Sequence, residues 1–468
     1  MEQRTEHDLL GFLEVPDHSW FGIHTTRALA NFPITGDRIS RYPDFIRSLA
    51  LVKKAAAQAN HECKLLDKKK TDAISSACDL IRDGQYLDQF VVDPVQGGAG
   101  TSTNMNANEV IANIALVNFL KAEKGDYHIL HPVEHVNLGQ STNDVYPTSL
   151  KVAVHIMLGT LSESLLELSA SFSRKAVEFD KYPKVGRTQL QDAVPMTLGQ
   201  EFRAFAHTLR EDVDRLEEAR ELLTELNIGG TAIGTALNAH HDYRRIVLRN
   251  LRELTAIESI RGAEDLIEAT QDVGVFVQVS GVIKRTATKL SKICSDLRLL
   301  SSGPRAGLNE INLPGVQAGS SMMPGKINPV IPEVVNQVAF DVIGNDVTIT
   351  MAAESGQLQL NAFEPIIARS LFDNIMNMSS AMNTLRERCV EGITANPEHL
   401  RNSVERSLGI ATLMNPSIGY TRATELVAAA AATGQNIADL AVEQGLISQD
   451  QAHALVSSVT SACSPLTT

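Results

Sequence analysis

Leu150, Val154, Met157, Leu161, Leu165, Leu168 and Phe172 recur at spacings of three and four between Thr148 and Lys181, a stretch without proline. That spacing places one apolar stripe on a helix, and Pro183 predicts where the helix stops. A second stripe, Phe202, Phe205, Leu209, Val213, Leu216, Leu223 and Leu226, runs through 197–227 and ends at Gly229-Gly230. Further long helices are predicted over about 265–300, 331–356 and 364–392. A helix of about 34 residues is roughly 50 Å long. Five helices of this kind must bury their stripes against one another, which predicts an elongated bundle. Val152, Ile156, Leu158 and Leu166 widen the first stripe toward a second apolar face.

The flanks differ from this middle. Residues 1–140 carry shorter helical pieces, about 44–60, 68–83 and 104–122, with Gly-rich joints. From about 396 the chain reads as short helices punctuated by Pro397, Pro416, Gly419, Gly434 and Gly445. Ser448 and Gln451 form a capping-box pattern for the last of them. Alternating Val/Ile/Thr runs are few, so strands are not expected to matter. The reading is an all-α chain in three domains: a mostly helical 1–140, a central long-helix bundle over 141–395, and a small helical 396–468.

Composition narrows the partners. Hydrophobic residues are 43% and charged residues 21%, as in a soluble globular protein. A net charge of −13 argues against nucleic acid and against anionic membrane surfaces. The five cysteines, Cys63, Cys78, Cys294, Cys389 and Cys463, show no Cys-x-x-Cys spacing and fit reduced, buried thiols. No signal-peptide order and no apolar run of membrane-spanning length is expected. These features predict a cytoplasmic protein.

The richest chemistry lies in Gly319-Ser320-Ser321-Met322-Met323-Pro324-Gly325-Lys326-Ile327-Asn328-Pro329. Its glycines and prolines mark a loop. A phosphate-binding loop would need Gly at Ser320 and Ser or Thr at Ile327, so a nucleotide is excluded. Lys, Asn and backbone N–H groups on one loop suit a carboxylate instead. Three more stretches gather hydroxyls and amides beside helices: Gly97–Glu109, Asn137–Pro147 and Gly186–Pro195. Each alone fits plain N-capping or a solvated turn. Together, with no His-Glu-x-x-His and no dinucleotide fingerprint, they suit a small dicarboxylate.

The loop fits the pattern Gly-Ser-x-x-Met-x-x-Lys-x-Asn at Gly319, Ser320, Met323, Lys326 and Asn328. On this basis the chain resembles the fumarase/aspartase superfamily, and the likeness runs from Leu9-Leu10-Gly11 and Glu14-Val15-Pro16 to the C-terminal helices. Gln140-Ser141-Thr142-Asn143-Asp144, Ser302–Pro314 and Glu364-Pro365 resemble its ammonia-lyases rather than its class II fumarate hydratases. The resemblance implies three helical domains, a homotetramer joined through the central helices, and sites built from three subunits. It implies reversible anti elimination of ammonia from L-aspartate to fumarate through an aci-carboxylate.

In that scheme Ser320 is the base. Thr101, Ser141, Thr142 and Ser321 hold the β-carboxylate, and Thr188, Lys326 and Asn328 hold the α-carboxylate. Asn143 takes the amino group with help from Thr101. Met323 and Glu333 play supporting parts, with Glu333 orienting Gln189 or pairing with Lys326. Gln189 stands where many members carry His, so no titrating relay is expected there. No cofactor or metal ligand is implied, and activation by a divalent cation is left open.

Overall fold

The computed structural model describes residues 2–462, so Cys463 lies outside the described residues. The chain opens with a hairpin, β1 (Gln3–Asp8) and β2 (Gly11–Pro16). Four helices follow: α1 (Ile23–Asn31), α2 (Pro43–Glu62), α3 (Lys68–Arg82) and α4 (Thr101–Phe119). Then come the long α5 (Thr142–Phe179), a second hairpin of β3 (Pro183–Thr188) and β4 (Gln191–Thr197), and α6 (Leu198–Leu222). Short elements β5 (Glu225–Leu226), α7 (Tyr243–Thr255), β6 (Arg261–Gly262) and α8 (Leu266–Gln271) lead to α9 (Gly274–Leu300). After β7 (Ile311–Asn312), α10 (Val330–Glu354) and α11 (Glu364–Arg388) complete the set of long helices. The tail holds β8 (Thr394–Ala395) and the short helices α12 (Pro397–Arg406), α13 (Ala411–Ile418), α14 (Tyr420–Thr433), α15 (Ile437–Glu443) and α16 (Gln449–Ala462).

The periodic stripes are the core. Every apolar residue named for the first stripe, Leu150 through Phe172, is buried, as is the second stripe from Phe202 to Leu226. Among the widening positions Val152 and Leu158 are buried, while Ile156 and Leu166 stay partly exposed. α5 is apolar and long enough to cross a membrane, yet two-thirds of its most apolar window is buried inside the protein, as in a core helix.

Three predictions need correction. The first long helix starts at Thr142, not Thr148, and carries Pro147 in its second turn. The region 265–300 is two helices, because Gly274-N bonds back to Asp272 at the junction. The Gly186–Pro195 stretch is a β-hairpin; Pro195 is tolerated because a two-stranded ribbon has only edges.

The chain forms two compact units, each built from three stretches. The first comprises residues up to Ser162, Asp214–Arg285 and Asp341–Asn377. In it, Ser280 and Lys284 of α9 bond Asp346 of α10, and Asn345 of α10 bonds Asn374 of α11. Phe45 of α2 packs on Tyr146 of α5 and Phe372 of α11. The second unit comprises Glu163–Val213, Thr286–Phe340 and the chain from Met378. There Phe172 and Phe179 of α5 meet Phe202 of α6, Lys289 of α9 bonds Asp212 of α6, and Asn336 of α10 bonds Ser291 of α9. All five long helices therefore contribute packed segments to both units. The tail helices close a separate apolar cluster in the second unit around Val404, Ile410, Met414, Leu426 and Ile437, with Val185 of β3 inside it. The Ser448–Gln451 capping box forms as expected: Ser448 N–H donates to Gln451 Oε1 at 2.8 Å and Gln451 N–H to Ser448 Oγ at 3.2 Å.

Glu364, the first residue of α11, is buried beside Lys151, and burial pushes its carboxyl up to about 8. A raised folded-state value means the folded chain holds a proton that the unfolded chain releases above about 4.3. The contribution to stability is thus complete at acid pH and is lost as pH rises through about 8. Urea midpoints are expected to fall between pH 5 and 8.5, and Glu364→Gln to flatten that fall. An unchanged slope in the variant would refute the assignment.

Candidate active site

In the first unit, four predicted residues come together at two helix starts. Gly100, at φ 90°, lies against the Tyr146 ring, where any Cβ would strike it at 2.2 Å, so α4 begins close on α5. Thr101 opens α4, and its hydroxyl donates to Gly98 O at 2.7 Å. Ser141 Oγ accepts from Asn143 N–H at 3.2 Å, which leaves its proton free to donate outward. Asn104 Nδ2 donates to Thr142 Oγ1 at 3.0 Å, so the Thr142 proton is likewise available. Asn143 Nδ2 donates to Ala232 O at 2.7 Å, which fixes the amide and presents Oδ1 as an acceptor.

Beneath these donors lies a buried polar network. Lys53 is fully buried and donates to Asn137 Oδ1 at 2.7 Å and Gln140 Oε1 at 3.0 Å. Asn137 Oδ1 also receives Asn104 and Asn108 at 3.2 Å each. Asp144 is fully buried and accepts from the backbone of Ser141, Gly229 and Thr231 at 3.0–3.1 Å. Burial pushes the Asp144 carboxyl up to about 7, against the pull of its N–H donors and Lys53. Burial pushes Lys53 down to about 7, opposed by Asp144. Sequence reading missed Lys53, Asn104, Asn137 and Asp144. The one available signal was Asn104 and Asn108 four apart near the start of α4, which puts both amides on one face.

The remaining predicted residues belong to the second unit. Thr188 ends β3, and Gln189 and Leu190 form the two-residue turn, with Thr188 paired to Gln191. Both turn residues sit at positive φ, 54° and 64°. Such turns favour Asn-Gly; a Gln-Leu pair is strained, and strain of this kind concentrates at functional tips. Below the tip, Glu310 is buried between Arg187 at 2.6 Å and Lys184 at 2.7 Å, and Lys184 also pairs with Glu201. Ser407 Oγ donates to Asp192 at 3.1 Å from the other strand. The hairpin is thus anchored at its base and exposed at its tip.

The serine loop is held by its own backbone. Gly319 N–H donates to Lys326 O at 2.8 Å, and Asn328 Nδ2 donates to Gly319 O at 2.7 Å. A Cβ at Gly319 would lie 2.5 Å from Lys326 O, so only glycine closes the loop. Ser320 Oγ accepts from Met322 N–H at 3.0 Å and Met323 N–H at 2.9 Å. Ser321, Met323 and Lys326 are exposed, and Asn328 is half-buried. Glu333, in the first turn of α10, makes no ion pair with Lys326 and no hydrogen bond to Gln189 among the described residues.

This chain matches the lyase family model over residues 11–344 and the fumarase C C-terminus model over 410–459. The chain belongs to the aspartase branch of the fumarase/aspartase superfamily. It is 56% identical to the aspartate ammonia-lyase of Pseudomonas fluorescens, covering 95% of this chain and 93% of that one. It is 54% identical to that of Helicobacter pylori strain J99, covering 96% and 95%. The solved structure described as fumarate lyase:delta crystallin from Brucella melitensis bound to cobalt superposes with a TM-score of 0.96 at 50% identity, over 99% of this chain and 100% of that one.

Among the described residues, one group, His240, His241 and Asp242, brings potential ligand atoms within 4.8 Å of one another. Asp242 already pairs with His241 at 3.1 Å and Arg245 at 3.2 Å, and its carboxyl is held below the usual range mainly by Arg245. The group is an ion-pair cluster, exposed at His241 and half-buried at His240 and Asp242.

The buried base of the hairpin gives a prediction. Glu310→Ala takes from Arg187 its ion-pair partner and from buried Lys184 one of its two carboxylates, Glu201 remaining, and breaking a buried pair costs about 3–5 kcal/mol. The variant is expected to lose that much by chemical denaturation. A loss below about 1 kcal/mol would show that the hairpin is held otherwise.

Proposed function

We propose that this chain catalyses the reversible anti elimination of ammonia from L-aspartate to give fumarate, with Ser320 as the base. The observation that carries the serine's role is the pair of backbone N–H groups aimed at Ser320 Oγ. A serine hydroxyl takes a carbon-bound proton only as its alkoxide. Fixed N–H donors stabilise such an anion, and each donor of this kind is worth about 10²–10³ in rate. Lys326, six residues on in the same loop, adds positive charge.

The alkoxide removes the proton beside the β-carboxylate. The electron pair moves into that carboxylate, whose oxygens gain charge against Thr101, Ser141, Thr142 and Ser321. Ser141 and Thr142 have their protons free for this role. Thr188, Lys326 and Asn328 hold the α-carboxylate. The aci-carboxylate then collapses, the C–N bond breaks, and the ammonium leaves as neutral ammonia beside Asn143, with Thr101 assisting. The leaving group already carries its protons, so a titrating acid is not needed and Gln189 is sufficient at the hairpin tip. Expelling hydroxide would need one, which separates this reading from a hydratase. No cofactor is required, and any divalent cation acts as an activator outside the chemical step.

The working unit is a cytoplasmic homotetramer in which sites draw on loops from several copies. Support comes from α10, whose Phe340, Val347 and Met351 are 61%, 57% and 66% exposed along one helical face. Such a stripe is unusual on a monomer. Light scattering is expected to give four times the 50.8 kDa chain mass.

Fumarate absorbance should rise when L-aspartate is supplied, and L-malate should give no comparable signal. Turnover of malate without aspartate would overturn the assignment. Ser320→Ala is expected to lower kcat by at least about 100-fold without changing the assembled mass. Near-parental turnover would exclude Ser320 as the base.

A further inference from the structure

Asn143 sits at the second position of α5, and its carbonyl would ordinarily accept the N–H four residues later. That residue is Pro147, which has no N–H. The acceptor is taken instead by Asn227 Nδ2 at 3.0 Å, from the segment after β5. Asn227 is itself fully buried and also donates to Thr270 Oγ1 at 3.3 Å. The Asn143 side chain is pinned from the same segment, through Ala232 O at 2.7 Å. Both ends of Asn143 thus report on where residues 227–232 lie.

Asp144 fixes that position. One carboxylate oxygen, Oδ1, accepts from Ser141 N–H at 3.0 Å; the other, Oδ2, accepts from Gly229 and Thr231 N–H at 3.1 and 3.0 Å. The turn it holds is strained: Thr231 is at φ 57°, and its buried hydroxyl makes no hydrogen bond. A turn of this kind persists only where its surroundings over-determine it. The charged group acting on Asp144 is Lys53, and the titratable Tyr243 also faces it.

We infer that Asp144 is a positioning residue that sets the ammonia subsite, by holding the 229–232 turn that orients the Asn143 amide with its oxygen toward the leaving nitrogen. With one N–H committed to Ala232 O, the amide keeps Oδ1 open as an acceptor, and the substrate's ammonium group, which only donates, is met by an acceptor. This inference rests on the proposed ammonia-lyase reaction, and it assigns the discrimination for nitrogen to a residue that touches no substrate.

Asp144→Asn separates the two halves of the contact. The substituted amide can keep its oxygen toward Ser141 N–H, leaving the carboxylate-binding hydroxyls in place. Its NH₂ then faces two N–H donors at Gly229 and Thr231, and the turn must move. A displacement on the order of 1 Å in a positioned group costs about 10²-fold in rate. In the amination direction, with fumarate consumption followed by absorbance, the ammonia KM is expected to rise about tenfold or more. The fumarate KM should change by less than about threefold. An ammonia KM within about twofold of the parent's, or equal rises in both constants, would overturn the inference. Should that variant fail to fold, Asn227→Ala removes the donor to the Asn143 carbonyl and to Thr270 while leaving Asp144 and its bonds to the turn in place. It is expected to raise the ammonia KM about three- to tenfold, and no change there would equally overturn it. A parent protein inactive on both aspartate and fumarate with ammonia would instead remove the underlying reaction.

Discussion

A proline in the second turn of a helix leaves one carbonyl without its helical partner, and in this chain that carbonyl belongs to Asn143. A buried acceptor cannot stay unpaired without cost. The protein satisfies it from a distant segment, through Asn227, and so joins the start of α5 to residues 227–232. Asp144 repeats the connection with its two bonds to the same turn. The polar groups at Ser141, Thr142 and Asn143 are therefore fixed by groups behind them as well as by the bond from Asn143 N–H to Ser141 Oγ. Lys53, Asn104 and Asn137 extend that support toward α2 and α4. Preorganised donors of this kind cost little further ordering when charge develops in front of them.

The second unit solves a related problem with other means. Its serine loop has few buried side chains to lean on, since residues 321–327 are exposed. Backbone bonds across Gly319, Lys326 and Asn328 close it, and glycine is required where the strands of the loop approach. The hairpin is different again, rigid at Lys184, Arg187 and Glu310 and strained at Gln189-Leu190. A loop held only by itself can move more readily than one backed by a buried network. The proposed base thus sits on the more yielding support, and the proposed β-carboxylate donors on the stiffer one.

Much of the fold was legible because burial follows a period. The stripes from Leu150 to Phe172 and from Phe202 to Leu226 were read from spacing alone and are core. The capping box at Ser448 was legible for the same reason: it is a local rule with local partners. The Ser320 loop could be read as a site because its residue types stand together in sequence. What could not be read depended on partners far away. Pro147 looks like a helix boundary until Asn227, 80 residues on, supplies the missing donor. Gly186 and Pro195 look like a loop until β4 pairs with β3 and Val185 enters the C-terminal cluster. Lys53 and Asp144 look like surface charges, because nothing local announces that a charged residue will be fully buried.

The same distinction bears on the leaving group. Gln189 could be recognised in the sequence as a position that cannot titrate, which removes an acid the expulsion of hydroxide would demand. That argues only against one outcome. The orientation of Asn143 argues for another, because the bond from its nitrogen to Ala232 O fixes the amide and leaves Oδ1 open as an acceptor. A hydroxyl could be met by either end of an amide, since it both donates and accepts. An ammonium only donates, so an acceptor fixed in place favours it without being able to favour hydroxide equally. In the proposed reaction the choice of nitrogen over oxygen therefore has two sources: an acid absent at the hairpin tip, and an acceptor held at α5 by a turn that Asp144 keeps strained.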